Sequence, residues 1–246
     1  MSEILGIDVG GTGIKAALVD TERGVFTQKK IKYATPKPST PDKVIDVIRQ
    51  LIEDFDYKGK DFGCGFPSVI KKNVCYTAAN IDKAWIDMDL RAYFQDKIGA
   101  KVTFTNDADA AGIAEMTFGQ GKDKAGTVIL LTLGTGIGSG IFLDGELLPN
   151  SEFGHLLYKK SIFEHYASNG ARKNKNLSYK QWGQELNTYL NHVSLIISPD
   201  LIILGGGVSK HFEKFKDHLD VKVELVPAAM GNDAGIIGAA MLASRQ

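Results

Sequence analysis

Cysteine is nearly missing from this chain: only Cys64 and Cys75 are present, with residues 65–74 between them. That spacing fits neither a disulfide framework nor the close pairs of a structural zinc site, so both read as small core or strand residues. A charge imbalance is missing too. Lys plus Arg and Asp plus Glu are each 29, which argues against a dedicated nucleic-acid or membrane-surface binder while leaving room for local patches. No segment approaches the roughly 18 apolar residues needed to span a bilayer. The opening MSEILGIDVGG has no basic segment followed by an apolar run of the secretory kind. The expectation is a cytoplasmic protein with neither nucleic acid nor membrane as partner. What is there is ordinary for a globular fold: 43% hydrophobic and 24% charged residues over 246 positions, enough for one large domain or two of modest size.

The stretch at residues 4–20, ILGIDVGGTGIKAALVD, organises the rest. An apolar strand ends in the acid Asp8, glycines at Gly10, Gly11 and Gly13 make a turn, and a second strand follows through Ile14, Ala16, Leu18 and Asp20. Glycine lets backbone N–H groups approach an anion closely. A carboxylate beside such a turn would repel a bare anion but suits one that arrives with Mg²⁺, which binds through one or two carboxylates plus phosphates. The reading is a Mg-phosphate cradle on a β-hairpin. A tight turn without ligand is one alternative. A dinucleotide fingerprint is another, because Gly11, Gly13 and Ala16 satisfy G-x-G-x-x-A. Against it, the residues after the turn alternate like a strand, and no acid stands about twenty residues on to hold a ribose. A Walker A loop fails because Lys15 is not preceded by glycine.

Alternation predicts a third strand over residues 25–34, made basic by Lys29, Lys30 and Lys32. Pro36, Pro38 and Pro41 mark a loop, after which Val44, Val47, Ile48, Leu51, Ile52 and Phe55 follow helical spacing. Residues 63–66 read as a strand, 77–85 as a loop, 89–98 as a helix, 101–105 as a strand and 107–118 as an alanine-rich helix. Asn106-Asp107 thus lies where a strand hands over to a helix, a favoured place for chemistry in open α/β sheets. A lone pair of this kind is more simply a helix cap. In a phosphate-binding protein, however, Asp107 supplies the carboxylate that a kinase needs to receive the proton of an attacking hydroxyl.

Residues 127–142, TVILLTLGTGIGSGIF, repeat the opening in outline: Gly134-Thr135-Gly136-Ile137 matches Gly11-Thr12-Gly13-Ile14 letter for letter. Three positions before the match, Leu131 stands where the first copy has Asp8. Two related halves are expected, of which only the first supplies a metal-side acid. Glu152 and His155, in NSEFGH, offer with Asn106 and Asp107 the donors and acceptors that several sugar hydroxyls require. Each alone reads more simply as a surface residue. A long helix over 178–197, a strand over 201–204, a turn at Gly205-Gly206-Gly207, a helix over 210–218, a strand over 221–226 and a final helix from Asp233 complete an alternating α/β pattern. Two lobes with a cleft between them are expected: residues 1–107 together with the helix at 233–246, and residues 108–232.

In order, GIDVGGTGIKAALVD, TNDADAAGIAE, LTLGTGIGSGIF, NSEFGH and IILGGGVSK resemble the ROK family of sugar kinases, with its actin-like (ribonuclease H-like) two-lobed fold. EMTFGQGK, DGELLPNSEFGH, LSYKQWGQELNTYL and SPDLIILGGGVSKHFEKF are closer still to the polyphosphate glucokinases within it. The resemblance implies phosphoryl transfer to the C6 hydroxyl of glucose from polyphosphate, with ATP as a second donor to be considered. It implies Asp107 as catalytic base, phosphate contacts from Gly10, Gly11, Thr12, Lys15, Gly134, Thr135 and Gly136, and Asp8 facing Mg²⁺ through water. Glucose contacts fall on Asn80, Asn106, Asp107, Glu152, His155 and Glu164, the last because FEHYAS matches the family's E-x-x-A-S segment. Gly205, Gly206 and Gly207 resemble its adenosine-binding turn, and a homodimer is its usual assembly. Many relatives follow the Gly-His pair with a cysteine-rich zinc motif. Here Gly154-His155 leads into LLYKKSIFE, so no zinc is expected and His155 is left for the sugar.

A polyphosphate chain has no base to stack and needs a groove of cations. Lys71-Lys72, Lys159-Lys160 and Arg172, Lys173 and Lys175 are candidates, although such clusters are more simply solvated surface. The runner-up is an ATP-dependent hexokinase for another sugar. Sugar-responsive repressors of the family carry a helix-turn-helix ahead of the kinase-like part, whereas strand one begins here at Ile4. A catalytically silent sugar sensor is a further reading, and the presence of both Asp8 and Asp107 tells against it.

Overall fold

A computed structural model describes residues 3–245. β1 (Glu3–Val9) and β2 (Gly13–Asp20) form the first antiparallel hairpin, which sets Asp8 opposite Lys15 and Val9 opposite Ile14. The strand expected over residues 25–34 is broken. β3 (Val25–Phe26) pairs with the far end of β2, and β4 (Ile31–Ala34) with residues 13–16 of the same strand. The polar run Thr27-Gln28-Lys29-Lys30 has nothing apolar to bury, so the ladder opens there, and Lys30 pairs instead with Asp233.

α1 (Pro41–Asp54) begins on its proline and turns Val44, Ile45, Ile48, Leu51 and Ile52 inward. β5 (Phe62–Phe66) runs parallel to β1, and a small hairpin of β6 (Ile70–Lys71) and β7 (Val74–Cys75) follows. α2 (Leu90–Ile98) is capped by the Asp89 carboxylate. β8 (Val102–Asn106) then pairs parallel with β5 and passes directly into α3 (Asp107–Phe118). The sheet order is β3-β2-β1-β5-β8, with β4 also on β2. Leu5, Ile7, Ile14, Ile48, Leu51, Phe62, Phe66, Trp85 and Phe94 belong to one buried cluster against it. Each such side chain contributes about 1.5–3 kcal/mol on burial, so this core outweighs the exposed ion pairs, worth about 0–1 kcal/mol each.

The second unit repeats the plan. β9 (Thr127–Leu133) and β10 (Ile137–Leu143) form a hairpin, and β11 (Glu146–Leu148) follows across the Asp144-Gly145 turn, both turn residues having positive φ. β12 (Leu157–Tyr158) and β13 (Ser161–Ile162) make a short hairpin before α4 (Glu164–Ala167) and α5 (Asn169–Asn174). α6 (Tyr179–Ile197) opens on a capping box of Ser178 and Gln181, and buries Trp182, Leu186, Tyr189, Leu190 and Val193. β14 (Leu201–Gly205) runs parallel to β9, and β15 (Glu224–Pro227) parallel to β14. The order β10-β9-β14-β15 mirrors β2-β1-β5-β8. The helix expected over 210–218 is instead two 3₁₀ segments, Ser209–Lys214 and Lys216–His218, with a kink at His211. His211, Phe215 and His218 donate three residues back, and Phe215 is fully buried, edge-on to Trp182 at 4.9 Å, so this short segment winds tightly inward. The strand expected over 221–226 starts later, at Glu224.

α7 (Ala234–Ser244) belongs to the first unit and packs on β1 and β5. Gly6 and Gly63 permit this: a Cβ on either would overlap the carbonyl of Ile236 or of Ala239. The first unit thus runs through Ala114 and resumes at Asp233, while the second is Glu115–Asn232. No described helix is long and apolar enough to cross a membrane.

Candidate active site

In the first unit, Gly10 N–H donates to Gly13 O at 3.0 Å and closes the first glycine turn. Thr35, on the neighbouring segment, donates its hydroxyl to Gly10 O at 2.5 Å. Asp8 and Lys15 face each other across the hairpin with Nζ and Oδ2 2.7 Å apart, so Lys15 is engaged by the carboxylate beside the turn. Gly235, in the first turn of α7, also approaches Asp8: a Cβ there would sit 3.3 Å from the carboxylate carbon. A lysine and a helix N-terminus both favour negative charge at this position. The backbone of Asn80 lies over Gly11, within 3.1 Å of where a side chain would begin.

Asn106 caps α3. Its Oδ1 accepts from Ala108 N–H at 2.8 Å and Asp109 N–H at 3.3 Å, and its Nδ2 donates to Ser68 O at 3.1 Å. Asp107 is half-buried beside it, its Oδ1 accepting from Ala108 N–H at 2.9 Å. These bonds fix both side chains where β8 becomes α3. Among the described residues no group of three or more His, Cys, Asp or Glu could hold a metal unaided. A lone carboxylate beside a glycine turn nevertheless fits Mg²⁺, which completes its shell with phosphates and water.

In the second unit, Gly134 N–H donates to Gly136 O at 3.0 Å, and Gly170 N–H donates to Gly134 O at 2.9 Å. Leu133 pairs with Ile137 here, whereas Val9 pairs with Ile14 in the first hairpin. The second turn is therefore one residue shorter, and the position equivalent to Asp8 by register is Thr132, not Leu131. Glu164 accepts from Ile137 N–H at 2.8 Å and fills the space beside Gly136. Glu152 and His155 face each other at 3.2 Å. Burial raises the Glu152 carboxyl above its ordinary value; His155 pulls the other way, and Glu164 adds to the rise. The structure thus gathers Glu152, His155, Glu164 and the glycine turn. Gly206, at φ 79°, packs against the backbone of Leu133, which places Gly205-Gly206-Gly207 next to that turn.

The ROK family profile matches residues 4–167. The chain belongs to the ROK family. It is 42% identical over 237 residues to the polyphosphate glucokinase of Mycobacterium tuberculosis (strain CDC 1551 / Oshkosh), covering 96% of this chain and 89% of that protein. The structure of the inorganic polyphosphate/ATP-glucomannokinase from Arthrobacter sp. strain KM is similar along the full length of both chains, with 38% identity and a TM-score of 0.96. A ROK family glucokinase from Streptomyces griseus, solved with glucose and AMPPNP, matches along both chains with a TM-score of 0.84 at 24% identity. Such ROK kinases have the two-lobed actin-like fold anticipated from the motifs.

Within this ROK frame, several supporting residues escape a motif reading. Ser139 and Ser151 exchange hydrogen bonds at 2.9 Å, and the Ser139 hydroxyl also accepts from Phe153 N–H at 3.1 Å, mooring the segment that carries Glu152 and His155 to β10. Glu115 is fully buried and accepts from Gln120, Ala229 and Met230 N–H groups. An acid inside an alanine-rich helix is the one signal of Glu115; the two serines give none.

Proposed function

We propose that this chain is a polyphosphate-dependent glucokinase that makes glucose 6-phosphate, with ATP as a second donor. The observation that carries the reading is the 42% identity to a polyphosphate glucokinase across 96% of the chain. Asp8, Asn106-Asp107 and the two glycine turns fall at strand ends, which suits a phosphotransferase.

In this reading the glucose contacts are those the motifs imply: Asn80, Asn106, Asp107, Glu152, His155 and Glu164. Asp107 accepts the proton of the C6 hydroxyl as that oxygen bonds to the terminal phosphorus. The bond from phosphorus to the bridging oxygen breaks, and the shortened chain leaves with the electron pair. N–H groups of Gly10, Gly11 and Thr12, and of Gly134, Thr135 and Gly136, stabilise phosphate charge, and positioning is worth up to about 7–11 kcal/mol of the barrier. Lys15 stays with Asp8 and adds positive charge beside the first turn. Asp8 would hold Mg²⁺ through water, and the metal, when bound, neutralises phosphate charge. Gly205, Gly206 and Gly207 would take the adenosine when ATP is the donor. The protein is expected to work in the cytoplasm as a homodimer, which sedimentation at several concentrations tests.

The deciding experiment crosses polyphosphate and ATP with glucose, mannose, fructose and N-acetylmannosamine in a phosphoryl-transfer assay. The proposal expects the highest kcat/KM for polyphosphate with glucose. Activity with ATP alone, or preference for another sugar, would overturn it in favour of an ATP-dependent ROK hexokinase.

A further inference from the structure

Two segments that carry cations are fixed beside the second glycine turn. The Gly170 N–H bond to Gly134 O holds α5, and with it Arg172. The contact of Gly206 with Leu133 holds the segment that bears Lys210, His211 and Lys214. The two segments meet over one aromatic ring. The Arg172 guanidinium lies 4.6 Å from the Tyr179 ring centre, Lys214 Nζ 5.7 Å, and the His211 ring 6.1 Å. Asn169 Oδ1 holds Arg172 Nε at 3.0 Å.

None of Arg172, Lys210 and Lys214 has a carboxylate partner among the described residues. Three other basic residues of this unit do: Lys159 pairs with Glu185, Lys216 with Glu213 and Lys124 with Glu224. Lys175 is also committed, donating to His165 O at 2.6 Å. Gathering like charges on one ring costs repulsion that a polyanion would relieve. His211 registers that field: partial desolvation, then Lys214, Lys210 and Arg172, hold its pKa below the ordinary imidazole value.

We propose that Arg172, Tyr179, Lys210, His211 and Lys214 form a strip that binds the distal phosphates of a polyphosphate chain whose reacting end lies at the Gly134–Gly136 turn. The inference rests on polyphosphate being a donor, and it selects Arg172 from the basic runs of the sequence while adding Lys210, His211 and Lys214. Chain length is its signature, because a short polyphosphate ends at the turn and a long one continues along the strip.

The test uses a Lys210→Gln/Lys214→Gln double variant, both positions being exposed, with Arg172→Gln as a second variant. Calorimetry measures binding of long-chain polyphosphate and of tripolyphosphate, with glucose-dependent turnover assayed in parallel. Long-chain affinity should fall about tenfold or more in the double variant, and its dependence on log salt should become shallower by about one to two units, as expected for two lost phosphate contacts. Tripolyphosphate affinity should change less than about twofold. Long-chain binding should also be linked to proton uptake at His211, whose depressed pKa a phosphate chain raises, and His211→Gln should diminish that uptake. Unchanged long-chain binding, or equal losses for both probes, would overturn the strip. Long-chain binding that depends on the strip in a protein that transfers no phosphate from polyphosphate would keep the strip and overturn the donor assignment.

Discussion

Glu164 accepts the backbone N–H of Ile137 at 2.8 Å, which ties a carboxylate assigned to the sugar to the turn assigned to phosphate. Such a charge-assisted bond contributes about 1.5–3 kcal/mol. Glu164→Ala removes the tie and the sugar contact together, and kcat/KM for glucose should drop about 10- to 100-fold. Glu164→Gln keeps an acceptor and should lose clearly less. Steady-state kinetics at saturating donor compare them; equal losses would assign the effect to the charge alone.

The same relationship sets two neighbouring glycines apart. A Cβ at Gly136 would strike the Glu164 carboxylate, while one at Gly134 meets nothing within 4 Å. Making room moves that carboxylate off the Ile137 N–H, and losing such a bond costs about 1.5–3 kcal/mol, or several degrees in Tm for a chain of this size. Calorimetric melting of Gly136→Ala and Gly134→Ala should show a clear drop only in the first.

Glu152 gives a pH signature. Its pKa is raised in the folded protein, chiefly by burial, so the folded state holds the proton more tightly than the unfolded chain. The associated stability is complete below the ordinary Glu pKa of about 4.5 and is lost as pH rises through the folded value. Glu152→Gln removes this dependence. The difference in Tm, variant minus parent, should therefore grow in the variant's favour as pH rises above about 4.5. A difference that is flat across that range would show that burial does not penalise the charge.

Asp107→Asn keeps the shape and, through the amide oxygen, the acceptor for Ala108 N–H. Loss of a general base costs about 10²- to 10⁴-fold. Turnover should fall by that factor while glucose affinity, measured by calorimetry, stays within about threefold of the parent. Near-normal turnover would remove Asp107 from the mechanism.

The hairpins at residues 10–13 and 134–136 are legible in the sequence because glycines clustered between alternating apolar residues leave the chain few other ways to turn. The handover at Asn106-Asp107 is legible for a similar reason, since polar caps punctuate strand-to-helix junctions. Register is not. That Thr132, and not Leu131, is the counterpart of Asp8 in the second hairpin depends on a turn one residue shorter, which only the ladder reveals. The need for glycine at Gly136 arises from Glu164, well downstream, and no local pattern encodes it. The 3₁₀ winding at Ser209–Lys214 likewise follows from where Phe215 is buried, a tertiary demand that overrides the helical spacing of the segment.

α7 seats on the sheet faces left open by Gly6 and Gly63, yet it is the last described helix that a ribosome makes. The first unit therefore starts before the second and finishes after it. During translation the apolar face of β1 and β5 waits, uncovered, while Glu115–Asn232 acquires every strand of its own sheet. Domains commonly fold in the order of their synthesis; here the order of completion is reversed, and premature termination shortly before α7 would leave a finished second unit joined to an unfinished first.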